Sequence, residues 1–130
     1  MTRRRRFLVD TDVMIEYLRG EEEAIDFLET LQERPVTSVI CVAELFAVAR
    51  DAGEQQAIDS FLKAFDVVEL DAQMARLGGE YRQTCSGSHG SGLADALIAA
   101  AANSQGLVLA TFNAKHYPMV DEIMVPYDRT

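Results

Sequence analysis

Residues 7–20 read FLVDTDVMIEYLRG. Phe7, Leu8 and Val9 form a short apolar run that suits a strand buried on both faces. Asp10 ends the run, Asp12 follows, and Val13, Met14, Tyr17 and Leu18 then fall at helical spacing. The stretch reads as strand, tight turn and helix, with a carboxylate at the strand's carboxyl end. In open parallel sheets the crevice outside those ends is where ligands bind. An acid there costs desolvation unless a cation offsets it, and a metal ion is the usual candidate. The plainer reading is that Asp10 caps the following helix, since Asp is a favoured N-cap. The stretch alone leaves both readings open.

Working outward, residues 21–33 carry Ala24, Ile25, Phe27, Leu28 and Leu31 at helical spacing, and Pro35 breaks that helix. Val36 and Thr37 make a short strand. Ser38 then caps a helix predicted to run to Ala52 and to be closed by Gly53. Residues 54–64 form another amphipathic helix, 65–70 (FDVVEL) a strand, and Asp71 caps a helix through Met74, Leu77 and Tyr81. Residues 85–92 (CSGSHGSG) are a Gly- and Ser-rich loop holding His89, which receives no role. An Ala-rich helix spans 93–104, a buried-type strand 107–111, and a short edge strand 123–125 stops at Pro126. Strands separated by helices imply crossover connections and a mainly parallel sheet with helices on both faces. The fold class is α/β.

The chain has 130 residues, the size of one domain, and the expected organisation is a single domain over 1–130 with residues 1–6 as a basic tail. With 48% of residues apolar, a sizeable core can be buried and disorder is excluded. No apolar run approaches the roughly 20 residues of a membrane span, and the start shows no signal-peptide hydrophobic region. Cys41 and Cys85 lack metal-ligand spacing, so a reduced, cytoplasmic protein without membrane association is expected.

Net charge is −9, from 12 basic and 21 acidic residues. Four of the basic residues are the arginines at positions 3–6, which leaves the remainder at −13. Bulk phosphate attraction is therefore not how this chain holds a nucleic acid. An enzyme that presents a metal to a phosphodiester remains compatible, as does a basic partner chain. The arginine run itself reads as a solvated tail.

Further acids echo Asp10. Glu44 lies within ICVAELFAVA, flanked by apolar residues on both sides, and Asp95 lies in the first turn of LADALIAAAA. Both sit near helix N-termini, where the macrodipole favours an anion. Taken alone, Asp95 reads as a capping residue, whereas a Glu in so apolar a frame calls for a partner. The strand LVLATFN delivers Thr111 and Asn113 to the same sheet edge. Parallel topology thus allows Asp10, Glu44, Asp95 and Asn113 to converge. Such acids repel one another and stay ionised only around a cation. Oxygen-only donors select Mg²⁺ or Mn²⁺ over zinc, and such an ion suits water attack in line at phosphorus.

The order VDTDVMIEYL, SVICVAELFAVA, LADALIAAAA and LATFNAKHYP resembles the PIN-domain ribonucleases, and within them the VapC-type toxins of toxin–antitoxin pairs. The resemblance runs from Phe7 to about Val125. It implies a PIN-like three-layer α/β/α sandwich with a central mainly parallel sheet. It also implies a metal-dependent endoribonuclease in which a metal-activated water hydrolyses RNA and a 3′-hydroxyl leaves. Asp10 resembles the family's first-strand ligand, Glu44 its helix-borne carboxylate and Asp95 its third acid. Asn113 stands where many members have a fourth Asp, and Thr111 resembles the hydroxyl that helps position that strand end. Asp12 falls where the family varies among small polar residues, with metal contact through water open. Phe112 departs from a frequent Arg, and His116 matches a frequent His but reads as a structural turn residue. The expected partners are RNA, a homodimeric second copy, and a cognate antitoxin. That antitoxin would wrap helices near Val13 to Leu31 and push an Arg or Lys into the acidic cleft.

Two other readings compete. VDTDV also resembles the D-x-D signature of haloacid-dehalogenase-like phosphatases, with Asp10 as nucleophile, Asp12 as general acid and Asp95 on the metal. The chain is short for that family, and neither Lys63 nor Lys115 fits its pattern. Asn113 in place of an acid also admits a non-catalytic PIN-like binding module.

Overall fold

The computed structural model describes residues 5–85 and 92–129. Five strands form one sheet in the order β3-β2-β1-β4-β5, and every neighbouring pair runs parallel. They are β1 (Phe7–Val9), β2 (Val36–Ser38), β3 (Asp66–Val68), β4 (Val108–Ala110) and β5 (Ile123–Met124). The connections carry α1 (Thr11–Leu18), α2 (Glu22–Glu29), α3 (Val39–Val48), α4 (Ala52–Leu62), α5 (Ala72–Cys85) and α6 (Leu93–Ser104), with a 3₁₀ turn at Ala114–His116. This is the three-layer α/β/α arrangement expected from the alternation of strands and helices.

The most apolar strands take the centre. Leu8 pairs in register with Val36 on one side and Leu109 on the other, and Leu8, Val9, Leu109 and Ala110 are fully buried. Strands without an exposed face must be near-continuous in apolar residues, as FLV and VLA are. The inner half of α6 is alanine, and Ala99, Ala100 and Ala102 are fully buried. Small side chains let this helix lie close, most tightly at Gly78 of α5, where an added Cβ would come 2.6 Å from Leu97 Cδ2. Because the strands are parallel, Asp10, Ser38 and Thr111 all fall at the carboxyl edge, where α1, α3 and α6 also begin. Thr37 fastens this edge, its hydroxyl donating to the Val9 carbonyl at 3.0 Å in a fully buried setting.

Several predicted boundaries change. The helix after Ser38 does not reach Ala52, and Gly53 does not close it. Ser38 does cap α3, accepting from Cys41 N at 3.2 Å, but the chain turns extended at Ala49. Asp51 then opens α4 by accepting from Glu54 N at 2.8 Å, and Arg50 closes onto Glu54 with its own N–H at 2.7 Å. Gly53 therefore sits inside the first turn of α4. The second helix ends at Glu29, short of residue 33, with Thr30 as its C-cap, both its N–H (3.1 Å) and its hydroxyl (2.6 Å) on the Asp26 carbonyl. The strand predicted at 65–70 shrinks to Asp66–Val68. Cys85 closes α5 instead of opening the loop, Gly92 is the N-cap of α6, and residues 86–91, with His89, lie outside the described residues. Arg5 and Arg6 are not a free tail. Arg5 pairs with Glu122, and Arg6 donates to Asp66 at 2.6 Å and to the Arg34 carbonyl at 2.8 Å.

Among the described residues no helix is long and apolar enough to cross a membrane. The α3–α4 boundary has a direct test by urea unfolding. A Cβ at Gly53 meets only Asp51 Oδ1, at 3.4 Å, so Gly53→Ala is expected to stabilise by about 0.5 kcal/mol. Asp51→Ala, which removes the cap, is expected to cost about 1 kcal/mol. Destabilisation by Gly53→Ala with a neutral Asp51→Ala would restore the boundary read from sequence.

Candidate functional site

Asp10 is the hub of the carboxyl edge. Its backbone is extended and it is the N-cap of α1, with Oδ1 accepting from Thr11 N at 2.8 Å. Its other oxygen, Oδ2, accepts from the Thr111 hydroxyl at 2.8 Å and from the Tyr117 hydroxyl at 2.9 Å. The Cys41 thiol leans on Oδ1 from 3.9 Å. Capping and site-building, alternatives on the sequence, are two uses of one carboxylate. Asp10 is only 5% exposed, so these donors replace the water it loses.

The other acids arrive from separate elements. Glu44 stands one and a half turns into α3 and accepts from the Thr11 hydroxyl at 2.6 Å. Asp95, in the first turn of α6, has Oδ1 3.1 Å from the same Tyr117 hydroxyl, and His116 Nδ1 lies 3.6 Å from its second oxygen. Asp10, Glu44 and Asp95 thus meet at this edge, whereas Asn113, expected beside them, turns its amide to Asp12. Asp10 and Glu44, with Cys41, can offer ligand atoms within 4.8 Å of one another.

Asp12 and Asn113 form a second, adjoining unit. Asp12 Oδ2 accepts from Phe112 N at 3.0 Å and from Asn113 Nδ2 at 3.1 Å, and it lies 3.3 Å from the Thr111 hydroxyl, whose one hydrogen serves Asp10 at the shorter distance. Asn113 N donates back to the Thr111 hydroxyl at 3.1 Å. The amide of Asn113 is therefore turned to Asp12, and Asp12 straps the first turn of α1 to the end of β4. Asp12 Oδ1 is buried without a protein partner. Phe112 offers no charge of its own, but the Arg129 guanidinium lies 4.1 Å over its ring.

The electrostatics follow from crowding acids in little water. Burial first, and then the charge of Asp95, raise Asp10 above the ordinary carboxylate range against the pull of its hydrogen bonds. Burial and the Asp10 charge push Asp12 up to about 6. Glu44 is raised as well, by burial and then by Asp10 and Asp95, with the Thr11 bond opposing. Burial and Asp10 lift the Cys41 thiol to about 11, so with no ion beside it the sulfur is protonated and leans on Asp10 as a neutral neighbour. The remaining donors are all oxygen. Those carboxylates repel one another, and such a set fits a hard divalent cation of the Mg²⁺ or Mn²⁺ type.

Sequence reading missed Thr11 and Tyr117. Thr11 lies inside the quoted DTD, but its partner is Glu44, 33 residues away. Tyr117 follows His116 in LATFNAKHYP, is 3% exposed, and faces Asp10 and Asp95 together. A tyrosine buried in a turn among acids has no periodic signature, and only the tertiary arrangement identifies it.

Known proteins share this sequence pattern and fold. The profile of the family described as PIN domain matches residues 7–121. Ribonuclease VapC10 of Mycobacterium tuberculosis is 38% identical over 123 residues, covering 92% of each chain. Ribonuclease VapC19 of the same organism is 33% identical over 124 residues, covering 92% of this chain and 98% of the relative. A toxin–antitoxin complex from Klebsiella pneumoniae superposes with a TM-score of 0.80 at 26% identity, covering 93% of this chain and 98% of that one. VapBC2 from Rickettsia felis bound to a DNA fragment from their promoter gives 0.78 at 22% identity, covering 92% and 97%, a likeness of fold alone.

The acids' mutual repulsion yields a prediction about stability. Glu44→Gln keeps an acceptor for Thr11 and removes one charge, so the melting temperature in EDTA is expected not to fall. The rise on adding Mn²⁺ is expected to shrink, since binding at 100 times Kd is worth about 2.7 kcal/mol. A lower melting temperature in EDTA with the Mn²⁺ increment intact would contradict this assignment.

Proposed function

The chain belongs to the PIN-domain family, and from that premise we propose that it is a metal-dependent endoribonuclease, the toxin of a toxin–antitoxin pair. The observation that carries this reading is the convergence of the carboxylates of Asp10, Glu44 and Asp95 at the carboxyl edge of the sheet. Asp10, Glu44 and Asp95 hold Mg²⁺ or Mn²⁺. When bound, such an ion lends Lewis acidity at the phosphodiester and lowers the pKa of water toward neutrality.

The chain's own side chains supply position and charge. Asp10 is locked by three donors, so its carboxylate is aimed before any ligand arrives. Thr11 orients Glu44 from the first turn of α1. Thr111, Asp12 and Asn113 fix the end of β4 beside the acids, and Asn113 acts through Asp12. Because the body is acidic, RNA is held through the cation and a few basic side chains, not by a broad basic surface. The engagement of Asp12 with β4 also argues against the phosphatase reading, in which that acid must be free to exchange a proton with the leaving group.

The proposed partners follow from the same surface. An antitoxin brings an Arg or Lys to the acids through charge-assisted hydrogen bonds. The apolar cleft among Ile15, Leu18, Leu45, Val48, Ala57 and Ile58, between α1, α3 and α4, supports a docking segment there. The chain acts in the cytoplasm as a homodimer.

Purified protein should cut a mixed RNA pool with Mg²⁺ or Mn²⁺ and stop in EDTA. Asp10→Asn should abolish cutting, Asp12→Asn should retain it, and a generic phosphomonoester should stay intact. Phosphomonoester turnover requiring both acids would favour the phosphatase. Silence on both substrates, with antitoxin carry-over excluded, would favour the non-catalytic module.

A further inference from the structure

Asp95 stands in the first turn of α6, a turn without a side-chain cap. The N-cap of α6 is Gly92, which has no side chain to hold the first turn. Asp95 is nevertheless met on both oxygens from another element, the turn after β4. Tyr117 OH lies 3.1 Å from Oδ1, and His116 Nδ1 lies 3.6 Å from Oδ2.

That turn is anchored to the strand carrying Asp10. β4 pairs with β1 in parallel register, Val9 opposite Ala110, and Asp10 N donates to the Ala110 carbonyl at 2.9 Å. The turn closes on itself through Tyr117 N to the Ala114 carbonyl at 3.0 Å and Val120 N to the Tyr117 carbonyl at 3.1 Å. The phenol ring is buried, so its hydroxyl cannot swing into solvent. Its oxygen stands 2.9 Å from Asp10 Oδ2 and 3.1 Å from Asp95 Oδ1. One hydroxyl therefore spans the two carboxylates, and its single hydrogen can serve either.

We propose that Tyr117 is a positioning residue for the cation site, its hydroxyl setting the separation of Asp10 and Asp95 before the ion binds. The inference rests on the reading that those two acids hold the cation. Two carboxylates set this close otherwise repel. The hydroxyl stands between them, at hydrogen-bond distance from each, as partners behind metal ligands commonly do. His116 assists from the second oxygen of Asp95, so the sequence KHYP contributes more than a turn.

The test is Mn²⁺ binding by calorimetry and by electron paramagnetic resonance, without RNA. Tyr117→Phe keeps the ring and removes only the hydroxyl, and the Mn²⁺ Kd should rise about 10- to 100-fold. Tyr17→Phe, whose hydroxyl bonds Glu29 at 2.8 Å, should leave the Kd unchanged. A purely structural hydroxyl would lower the melting temperature without moving the Kd. In wild-type protein labelled with ¹³C at the tyrosine ζ carbon, the Tyr117 signal should shift on Mg²⁺ addition with the calorimetric midpoint. This measurement stands even if the variant fails to fold. An unchanged or tighter Kd in Tyr117→Phe, or a Tyr117 signal indifferent to Mg²⁺, would overturn the proposal alone. Wild-type protein that binds no Mn²⁺ would overturn it together with the nuclease reading.

Discussion

The structure turns on one buried carboxylate. Asp10 terminates the central strand, and its charge is tolerated because a backbone N–H and two hydroxyls converge on it from three parts of the chain. Each donor constrains an element: Thr11 N begins α1, Thr111 fixes the end of β4, and Tyr117 fixes the turn beyond. Leaving such a group without donors would cost several kcal/mol. The sheet edge is therefore built to the specification of one side chain. The parallel register of β1 with β2 and β4 is what brings those donors within reach.

Placing Glu44 and Asp95 beside Asp10 runs against stability. All that the hydrogen bonds gain is partly offset by carboxylates that raise one another, and Asp12 adds a further charge next door. A fold selected for stability alone would not keep this cluster. The arrangement makes sense when a cation and a phosphate occupy it, since the ion relieves the repulsion that the protein tolerates without it. The acidity of the whole body, −9 formally, fits the same division of labour. Positive charge at the chemistry is imported, and the protein supplies geometry.

Much of this was legible in the chain. FLVDTDVMIEYL gave β1, the turn and α1, because a fully apolar triplet followed by helical spacing has few alternatives. Ser38, Asp71 and the apolar frames around Glu44 and Asp95 located their elements correctly. Helix ends were less legible, since Gly53 and Asp51 are two signals in competition and the local cap of Asp51 won. The choice between cap and site at Asp10 was never a choice, because a carboxylate has two oxygens. Tyr117 and Thr11 were invisible because their meaning lies in partners far along the chain. The role of Asn113 was legible only as a location: its amide serves Asp12, which no spacing rule could tell.

The central claim is that a divalent cation sits among Asp10, Glu44 and Asp95. Anomalous diffraction from Mn²⁺-soaked crystals addresses it directly. The account predicts one strong peak bounded by those three carboxylates and absent from Asp10→Asn crystals. A peak lying instead between Asp12 and Asn113, or none at saturating Mn²⁺, would contradict it.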